Sequence, residues 1–152
     1  MKFRRILVAT DFSPASRPAF RTALDLARAQ RGRMAIVHVL PSVAPMGVEG
    51  YVSARMYEEM EASARRWAQK RLDRLVAEAR GARVAARPLL LEGAAHEAIA
   101  RAARSERADV VVIGTHGRTG LERVFVGSVA ARVIGTAPCP VLTVRARRGR
   151  SR

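Results

Sequence analysis

Cysteine is almost absent from this chain of 152 residues, because Cys139 is the only one and no disulfide can form within the chain. Cys139 lies between two prolines with no base beside it in sequence, which predicts a buried or inert thiol. No apolar run approaches the roughly 20 residues that a bilayer span requires. The short apolar stretch 6–9 is cut off by Asp11, too early for a secretory signal. We therefore expect a cytoplasmic chain with no membrane partner.

Aromatic and acidic residues are also scarce. Aromatic side chains make up 5% of the chain, which is poor for stacking on single-stranded nucleic acid. Only 13 acidic residues stand against 28 basic ones, so the net charge is +15. This balance favours polyanions such as nucleic acid or phosphorylated ligands, but a merely solvated arginine surface would produce it as well. Charge therefore leaves nucleic-acid binding open as an alternative and does not favour it.

Apolar residues, in contrast, form 49% of the chain, and their spacing predicts alternating strands and helices. Short apolar segments predict strands at 6–9, 34–40, 83–91, 109–114 and 140–144. Helical spacing predicts a helix from Pro14 to Gly32 and further helices over 52–80, 94–104 and 124–134. This order is typical of an α/β fold, with a parallel sheet and helices on both faces. We expect one domain over 1–146 and a basic, disordered tail over 147–152.

The longest predicted helix, 52–80, carries a stripe of large apolar side chains. Met56, Met60, Trp67, Leu72 and Val76 recur at helical spacing, with charged residues between them. Such a stripe is more often core packing than a ligand site. We therefore expect the stripe to be buried.

A glycine-rich segment after the fourth predicted strand offers the clearest binding chemistry. Gly114 and Gly117 permit close backbone approach or a positive φ, and Gly127 lies at the start of the last predicted helix or within its first turn. Free N–H groups at such a start, together with the helix dipole, favour a phosphate. Ser128 adds a hydroxyl donor, and either Arg118 or Arg123 can reach outer phosphate oxygens.

The carboxyl ends of two other predicted strands bring further groups to the same edge of the sheet. Ala9, Thr10 and Asp11 end the first strand, and Val39 lies near the end of the second. Asp11 has an alternative role as a turn residue that bonds to the backbone ahead of Ser13.

The spacing Gly114-x2-Gly117-x9-Gly127-Ser128 matches the G-2x-G-9x-G-(S/T) signature of the ATP-binding branch of the universal stress protein family. Several flanking segments also resemble that family, in the same order along the chain: 6–13, 37–39, 117–120, 127–130 and 137–142. The similarity covers residues 4–146.

This resemblance implies a five-stranded parallel sheet of order 3-2-1-4-5, with ATP across its carboxyl edge. It implies that Asp11 contacts the nucleoside or its metal and that the backbone of Val39 meets adenine. Ile113, Gly114, Gly117, Gly127, Ser128 and Val129 match the family's phosphate and ribose shell. Ala9 stands where ATP-binding relatives often have proline, which matters little for a backbone contact. The family also often forms a homodimer through the last strand.

The candidate cofactor-binding residues are Ala9, Thr10, Asp11, Val39, Ile113, Gly114, His116, Gly117, Arg118, Gly127, Ser128 and Val129. No catalytic residue is assigned, because the loop has no lysine of the Walker type, His116 has no evident partner, and no general base is evident. His38 and His96 do not form a metal-binding spacing, and we expect both to be structural or exposed.

We therefore expect an ATP-binding protein, with Mg²⁺ bridging the phosphates, that acts as a regulatory or stress-response module. Bound ATP would alter the surface offered to an unknown protein partner. Slow ATP hydrolysis or autophosphorylation stays open as an alternative.

Overall fold

The structure is a computed structural model that describes residues 2–42, 53–115 and 127–145. Its elements are β1 (Arg5–Ala9), a 3-10 turn (Pro14–Ser16), α1 (Arg17–Gln30), β2 (Arg33–Leu40), α2 (Ala54–Gly81), β3 (Ala85–Glu92), α3 (Ala95–Ser105), β4 (Val110–Gly114), α4 (Ser128–Thr136) and β5 (Val141–Val144). The five strands form one parallel sheet in the order β3-β2-β1-β4-β5. The predicted fold class and strand order are confirmed.

The order of the strands reverses at β1. The chain passes from β1 outward to β2 and β3, and then returns to place β4 on the other side of β1. Val8 of β1 consequently pairs with Ile36 on one side and with Val112 on the other. In sheets of this kind ligands bind beyond the carboxyl ends of the strands at the reversal point.

Alternate residues of β1 face two separate cores. Ile6 and Val8 pack with Phe20 of α1 and Leu72 of α2 on one face of the sheet. Leu7 and Ala9 pack on the other face with residues of α3 and α4, including Ile99. Because every central strand is covered by helices on both faces, the sequence of each is a continuous apolar run rather than an alternation of apolar and polar residues.

The start of β4 is clamped to the start of β1 by Asp109. Its Oδ2 accepts hydrogen bonds from the backbone N–H groups of Arg4, at 2.9 Å, and Arg5, at 2.8 Å. Its Oδ1 accepts two more from the guanidinium of Arg5, at 3.1 and 2.6 Å. These bonds hold the two central strands in register at the edge opposite the glycine-rich segment.

The end of α1 depends on Gly32 in a way that differs from the prediction. The left-handed residue that ends the helix is Arg31, with φ 49°, and not the glycine. Gly32 is required because the chain passes close to β1 there, where a Cβ atom would lie 2.7 Å from the carbonyl oxygen of Arg4. A close approach, rather than helix termination alone, explains this glycine.

The expectation of a wholly buried stripe on α2 is wrong for its first half. Met56, Met60 and Trp67 are 52%, 63% and 45% exposed, whereas Leu72 and Val76 are buried. The buried residues of α2, namely Ala68, Leu72, Val76 and Ala79, all come from its second half, so only that half packs against the core. Apolar periodicity identified the helix correctly and not the extent of its burial.

Most other predicted boundaries shift by one or two residues. Gly81, predicted to end α2, is its last residue, and Arg83 makes the left-handed turn into β3. The predicted helix over 124–134 is observed as α4, while residues 124–126, residues 43–52 and the predicted tail at 147–152 lie outside the described residues. No helix in the described ranges is both long enough and apolar enough to cross a membrane.

Candidate functional site

A cleft of about 320 Å³ opens at the carboxyl ends of β1, β2 and β4, where the strand order reverses. Its described walls are formed by Ala9, Thr10, Asp11, Ser16, Val37, His38, Val39, Ala95, Ile99, Ile113, Gly114, Thr115, Gly127, Ser128, Val129 and Ala130. Its volume lies at the small end of the range typical of ligand sites.

The cleft brings together every predicted site residue that the structure describes. Those residues are Ala9, Thr10, Asp11, Val39, Ile113, Gly114, Gly127, Ser128 and Val129. His116, Gly117, Arg118 and Arg123 lie outside the described residues. The structure thus places three separate segments at one edge, and their role in binding stays a prediction.

The start of α4 presents backbone N–H groups to the cleft. Gly127 is the N-cap residue, and its own N–H donates to the carbonyl oxygen of Thr115 at 2.7 Å. The first bond of the helix runs from the N–H of Ala131 to the carbonyl oxygen of Gly127, at 3.0 Å. Since no side chain caps this helix, the N–H groups of Ser128, Val129 and Ala130 have no partner inside it. All three residues line the cleft.

Gly127 is also sterically constrained. A Cβ atom at this position would lie 3.1 Å from the carbonyl oxygen of Thr115, closer than most real Cβ contacts. Its φ of −52° is accessible to any residue, so close approach and not backbone conformation demands the glycine.

A second helix start, that of α3, borders the same cleft and was not anticipated as part of the site. Gly93, with φ 110°, turns the chain, and its N–H donates to the carbonyl oxygen of Leu40 at the end of β2, at 3.0 Å. Ala94 caps α3 without a side-chain hydrogen bond, and the first helical bond comes from the N–H of Ala98. Ala95, in the first turn, lines the cleft. The uncapped first turn of α3 adds positive helix-dipole potential at this edge, and Glu97 in the same turn offsets part of it.

Asp11 performs the turn role that was left open for it. Its Oδ1 accepts from the N–H of Ser13 at 3.0 Å and from the Ser13 hydroxyl at 2.6 Å. Both bonds use Oδ1, so they do not occupy Oδ2. Because the partly exposed Asp11 also lines the cleft, the turn orients this carboxylate at the mouth of the site.

His38 and Ser16 support the turn after β1, and sequence reasoning did not assign either to the site. His38 is buried, and its Nδ1 lies 2.8 Å from the carbonyl oxygen of Thr10. A carbonyl oxygen can only accept, so Nδ1 carries the proton in this contact. The Ser16 hydroxyl lies 3.0 Å from that of Thr10 and donates to the carbonyl oxygen of Ser13. The place of His38 beside Val39, at the end of a predicted strand, was the available signal.

Apolar side chains form much of the remaining wall. Val39, Ile99 and Ile113 come from β2, α3 and β4, and Val129 is 38% exposed at the start of α4. An apolar wall beside a set of backbone donors suits a ligand with one flat apolar part and one anionic part.

Cys139 is partly buried and is not among the described residues that line the cleft. Burial raises the pKa of its thiol, which disfavours the reactive thiolate. Across residues 2–42, 53–115 and 127–145, no three His, Cys, Asp or Glu side chains gather into a metal site.

Comparison with known proteins shows which family this chain resembles. The model of the Universal stress protein family matches residues 2–145. A universal stress protein of Thermus aquaticus, encoded in the QAH/OAS sulfhydrylase 3' region, is 37% identical over 145 residues, which cover 94% of this chain and 99% of that protein.

Solved structures agree with the sequence relatives. A protein of the universal stress protein family from Burkholderia pseudomallei is 32% identical, with a TM-score of 0.70 and coverage of 95% of this chain and 97% of that one. The universal stress protein from Archaeoglobus fulgidus, in complex with dAMP, is 26% identical, with a TM-score of 0.65 and coverage of 95% and 100%.

Proposed function

The chain belongs to the universal stress protein family, and we propose that it is a nucleotide-binding regulatory member whose ligand is ATP. The observation that carries the proposal is the meeting of two uncapped helix starts, those of α3 and α4, at one cleft beside β4. Anionic phosphates are stabilised by free backbone N–H groups and by the positive end of a helix dipole. The dAMP complex of the Archaeoglobus fulgidus relative supports a nucleotide as the ligand class.

Each part of a nucleotide has a matching group in the cleft. The N–H groups of Ser128 and Val129 and the Ser128 hydroxyl suit the phosphates. The apolar wall that includes Val39 and Ile113 suits the base. Asp11, with Oδ2 not used by its turn, suits a ribose hydroxyl or a phosphate-bound cation.

Mg²⁺ fits this proposal only together with the phosphates. Asp11 is the one carboxylate among the described residues of the cleft. Mg²⁺ commonly binds through one or two carboxylates plus substrate phosphates, so it would arrive as MgATP. When bound it would neutralise phosphate charge.

The proposed role is regulatory rather than efficiently catalytic. The glycine-rich segment has no lysine of the P-loop type, and Asp11 is already engaged with Ser13 through Oδ1. Slow hydrolysis is the rival reading, and a phosphate-release assay separates it: turnover that disappears in Ser128→Ala would favour an enzyme.

A homodimer through β5 completes the proposal. β5 is an edge strand paired on one side with β4, and Leu142 on it is 39% exposed. Ile134 on the adjacent α4 is 51% exposed. Exposed apolar side chains beside an unpaired strand edge favour pairing with a second chain.

Calorimetric titration with MgATP tests nucleotide binding directly. We expect saturable binding by the wild type and a loss of at least tenfold in Gly127→Val, whose side chain would be forced against the carbonyl of Thr115. Gly135→Val on the same helix is the matched control, because a Cβ atom there meets nothing within 4 Å. Absence of heat up to millimolar MgATP, with circular dichroism showing folded protein, would overturn the proposal.

A further inference from the structure

The middle of α2 exposes a basic surface that the nucleotide cleft does not use. Five side chains share one side of the helix, within about 140° around its axis at 100° per residue: Arg66, Trp67, Lys70, Arg71 and Arg74. We name these five residues the α2 basic face. Arg66, Lys70 and Arg74 repeat every four residues and line one shallow groove, so their Cα positions advance about 6 Å along the helix axis at each step.

The cations of this face differ from neighbouring arginines in their ion pairs. Other arginines nearby are paired: Arg17 makes two hydrogen bonds to Glu78, at 2.8 and 2.7 Å, and Arg65 pairs with Glu92. Among the described residues, none of the four cations of the α2 basic face has a carboxylate partner. Asp73, the one acidic residue of the groove, accepts from Gln69 at 2.8 Å. Along the groove, the three cations Arg66, Lys70 and Arg74 therefore lie beside one carboxylate, that of Asp73.

Aromatic side chains are concentrated beside these cations, although they are scarce in the chain. Trp67 is 45% exposed, and the guanidinium of Arg71 lies 4.6 Å from the centre of its ring. The ring of Phe12 meets Trp67 edge-on, with centroids 5.5 Å apart. Trp67 is thus held in place while almost half of its surface faces solvent.

A recess of about 270 Å³ continues this surface toward α1. Its lining includes Arg71 and Arg74, the pair Arg17 and Glu78, and the side chains of Phe12, Phe20 and Ser13. An aromatic recess bordered by arginines suits a flat base attached to a phosphate-bearing backbone.

We propose that the α2 basic face binds single-stranded nucleic acid. Phosphates would lie along Arg66, Lys70 and Arg74, while an unstacked base rests on Trp67. A single strand is favoured over a duplex because only unpaired bases offer a free face to an aromatic ring. An acidic protein would use the cations and leave Trp67 without a stacking partner.

The α2 basic face itself lies outside the nucleotide cleft, and only the recess beside it shares lining residues, Thr10 and Ser16, with the cleft. None of the five residues of the α2 basic face lines the cleft. The two proposals therefore fail independently: Gly127→Val, which is expected to lose ATP, should bind an oligonucleotide as the wild type does.

Fluorescence anisotropy with a labelled 12-nucleotide oligothymidylate, in low salt and without ATP, tests the proposal. We expect the triple variant Arg66→Glu, Lys70→Glu, Arg74→Glu to lose at least thirtyfold in affinity. Because each phosphate contact on a single strand contributes about 0.7 to the slope of log K against log salt, the slope should become shallower by about 2.

A second triple variant, Arg101→Glu, Arg104→Glu, Arg132→Glu, is the matched control. It changes net charge equally, but its residues lie on α3 and α4, which cover the other face of the sheet. An equal loss of affinity in both triple variants would show a general charge effect and overturn the proposal. Absence of any binding at low salt would do the same.

Trp67 provides the test for base stacking. Trp67→Ala should weaken oligothymidylate about tenfold and an abasic strand of equal length less than twofold, while Trp67→Phe should restore most of the affinity. If Trp67→Ala weakened the binding of oligothymidylate and of the abasic strand equally, a base-stacking site would be overturned. It would also be overturned if anionic vesicles displaced the labelled oligonucleotide more strongly than unlabelled oligothymidylate does.

Discussion

The imidazole of His38 stacks on the ring of Phe12, with ring centroids 4.2 Å apart and planes inclined by 30°. His38 lines the cleft, and Phe12 on its other side contacts Trp67 at the surface of α2. Phe12 also has φ 63°, a left-handed conformation that a large side chain rarely adopts without support. A continuous series of ring contacts therefore joins the cleft wall to the exposed face of α2.

This series of contacts predicts an optical signal for nucleotide binding. Trp67 is the only tryptophan in the chain, so its fluorescence reports one place. MgATP contacting the turn at Asp11 should shift Phe12 against Trp67 and change the emission intensity measurably. Phe12→Leu, which removes the aromatic stack, should bind MgATP within about threefold of wild type by calorimetry and lose most of the emission change. Unchanged emission in wild type at saturating MgATP would contradict this coupling.

The Asp109 clamp predicts a pH-dependent contribution to stability. The hydrogen bonds from the Arg5 side chain are the largest cause that lowers the pKa of Asp109, partial burial opposes it, and backbone N–H groups lower it further. Because folding lowers this pKa, the stabilisation is complete above the ordinary aspartate pKa of about 4 and is lost as pH falls through the lower folded value.

Asp109→Asn should therefore reduce the free energy of unfolding by about 1–3 kcal/mol at pH 7. The difference from wild type should shrink as the pH of urea titrations is lowered from 5 toward 2. Asp73→Asn is the control, since its one side-chain bond lies on the exposed surface of α2, and it should cost much less. A difference that stays constant down to pH 2 would exclude the carboxylate charge as its source.

The close approach at Gly32 predicts opposite effects for two similar substitutions. Gly32→Ala places a Cβ atom 2.7 Å from a backbone oxygen, so β1 and β2 must move apart, at a cost of about 1–3 kcal/mol. Gly81→Ala, at the end of α2, meets nothing within 4 Å and should stabilise by up to about 1 kcal/mol. Urea titration of the two variants checks the sign of each. Stabilisation by Gly32→Ala would contradict the packing described here.

If the dimer forms through β5, a single charged substitution on that strand should separate it into monomers. Leu142→Glu places a charge on the exposed edge strand and should give a monomeric mass in light scattering at concentrations where wild type is dimeric. Met60→Glu, which alters an exposed apolar residue of α2, should remain dimeric. The reverse pattern would assign the dimer to α2 instead.

The strands and their order were predictable because each central strand is covered on both faces. Continuous apolar runs such as Val110–Gly114 identify buried parallel strands locally, and the resemblance supplied the order. The start of α4 was predicted only to within a turn, because apolar spacing indicates a helix from 124 onward whereas α4 begins at Ser128. The extent to which α2 is buried could not be predicted from the sequence. The apolar spacing through Met60 and Trp67 is the same whether or not a sheet packs against that part of the helix.

The sequence by itself determined the alternation of strands and helices and the three segments that carry the candidate site, because these depend on local spacing and residue type. Only the tertiary structure decided that the start of α3 joins the site, that His38 supports the turn after β1, and that Phe12 meets Trp67. These contacts join residues separated by 26 or more positions, as in the 28 between His38 and Thr10. No local pattern encodes them, because they arise only when the packed sheet brings the ends of its strands together.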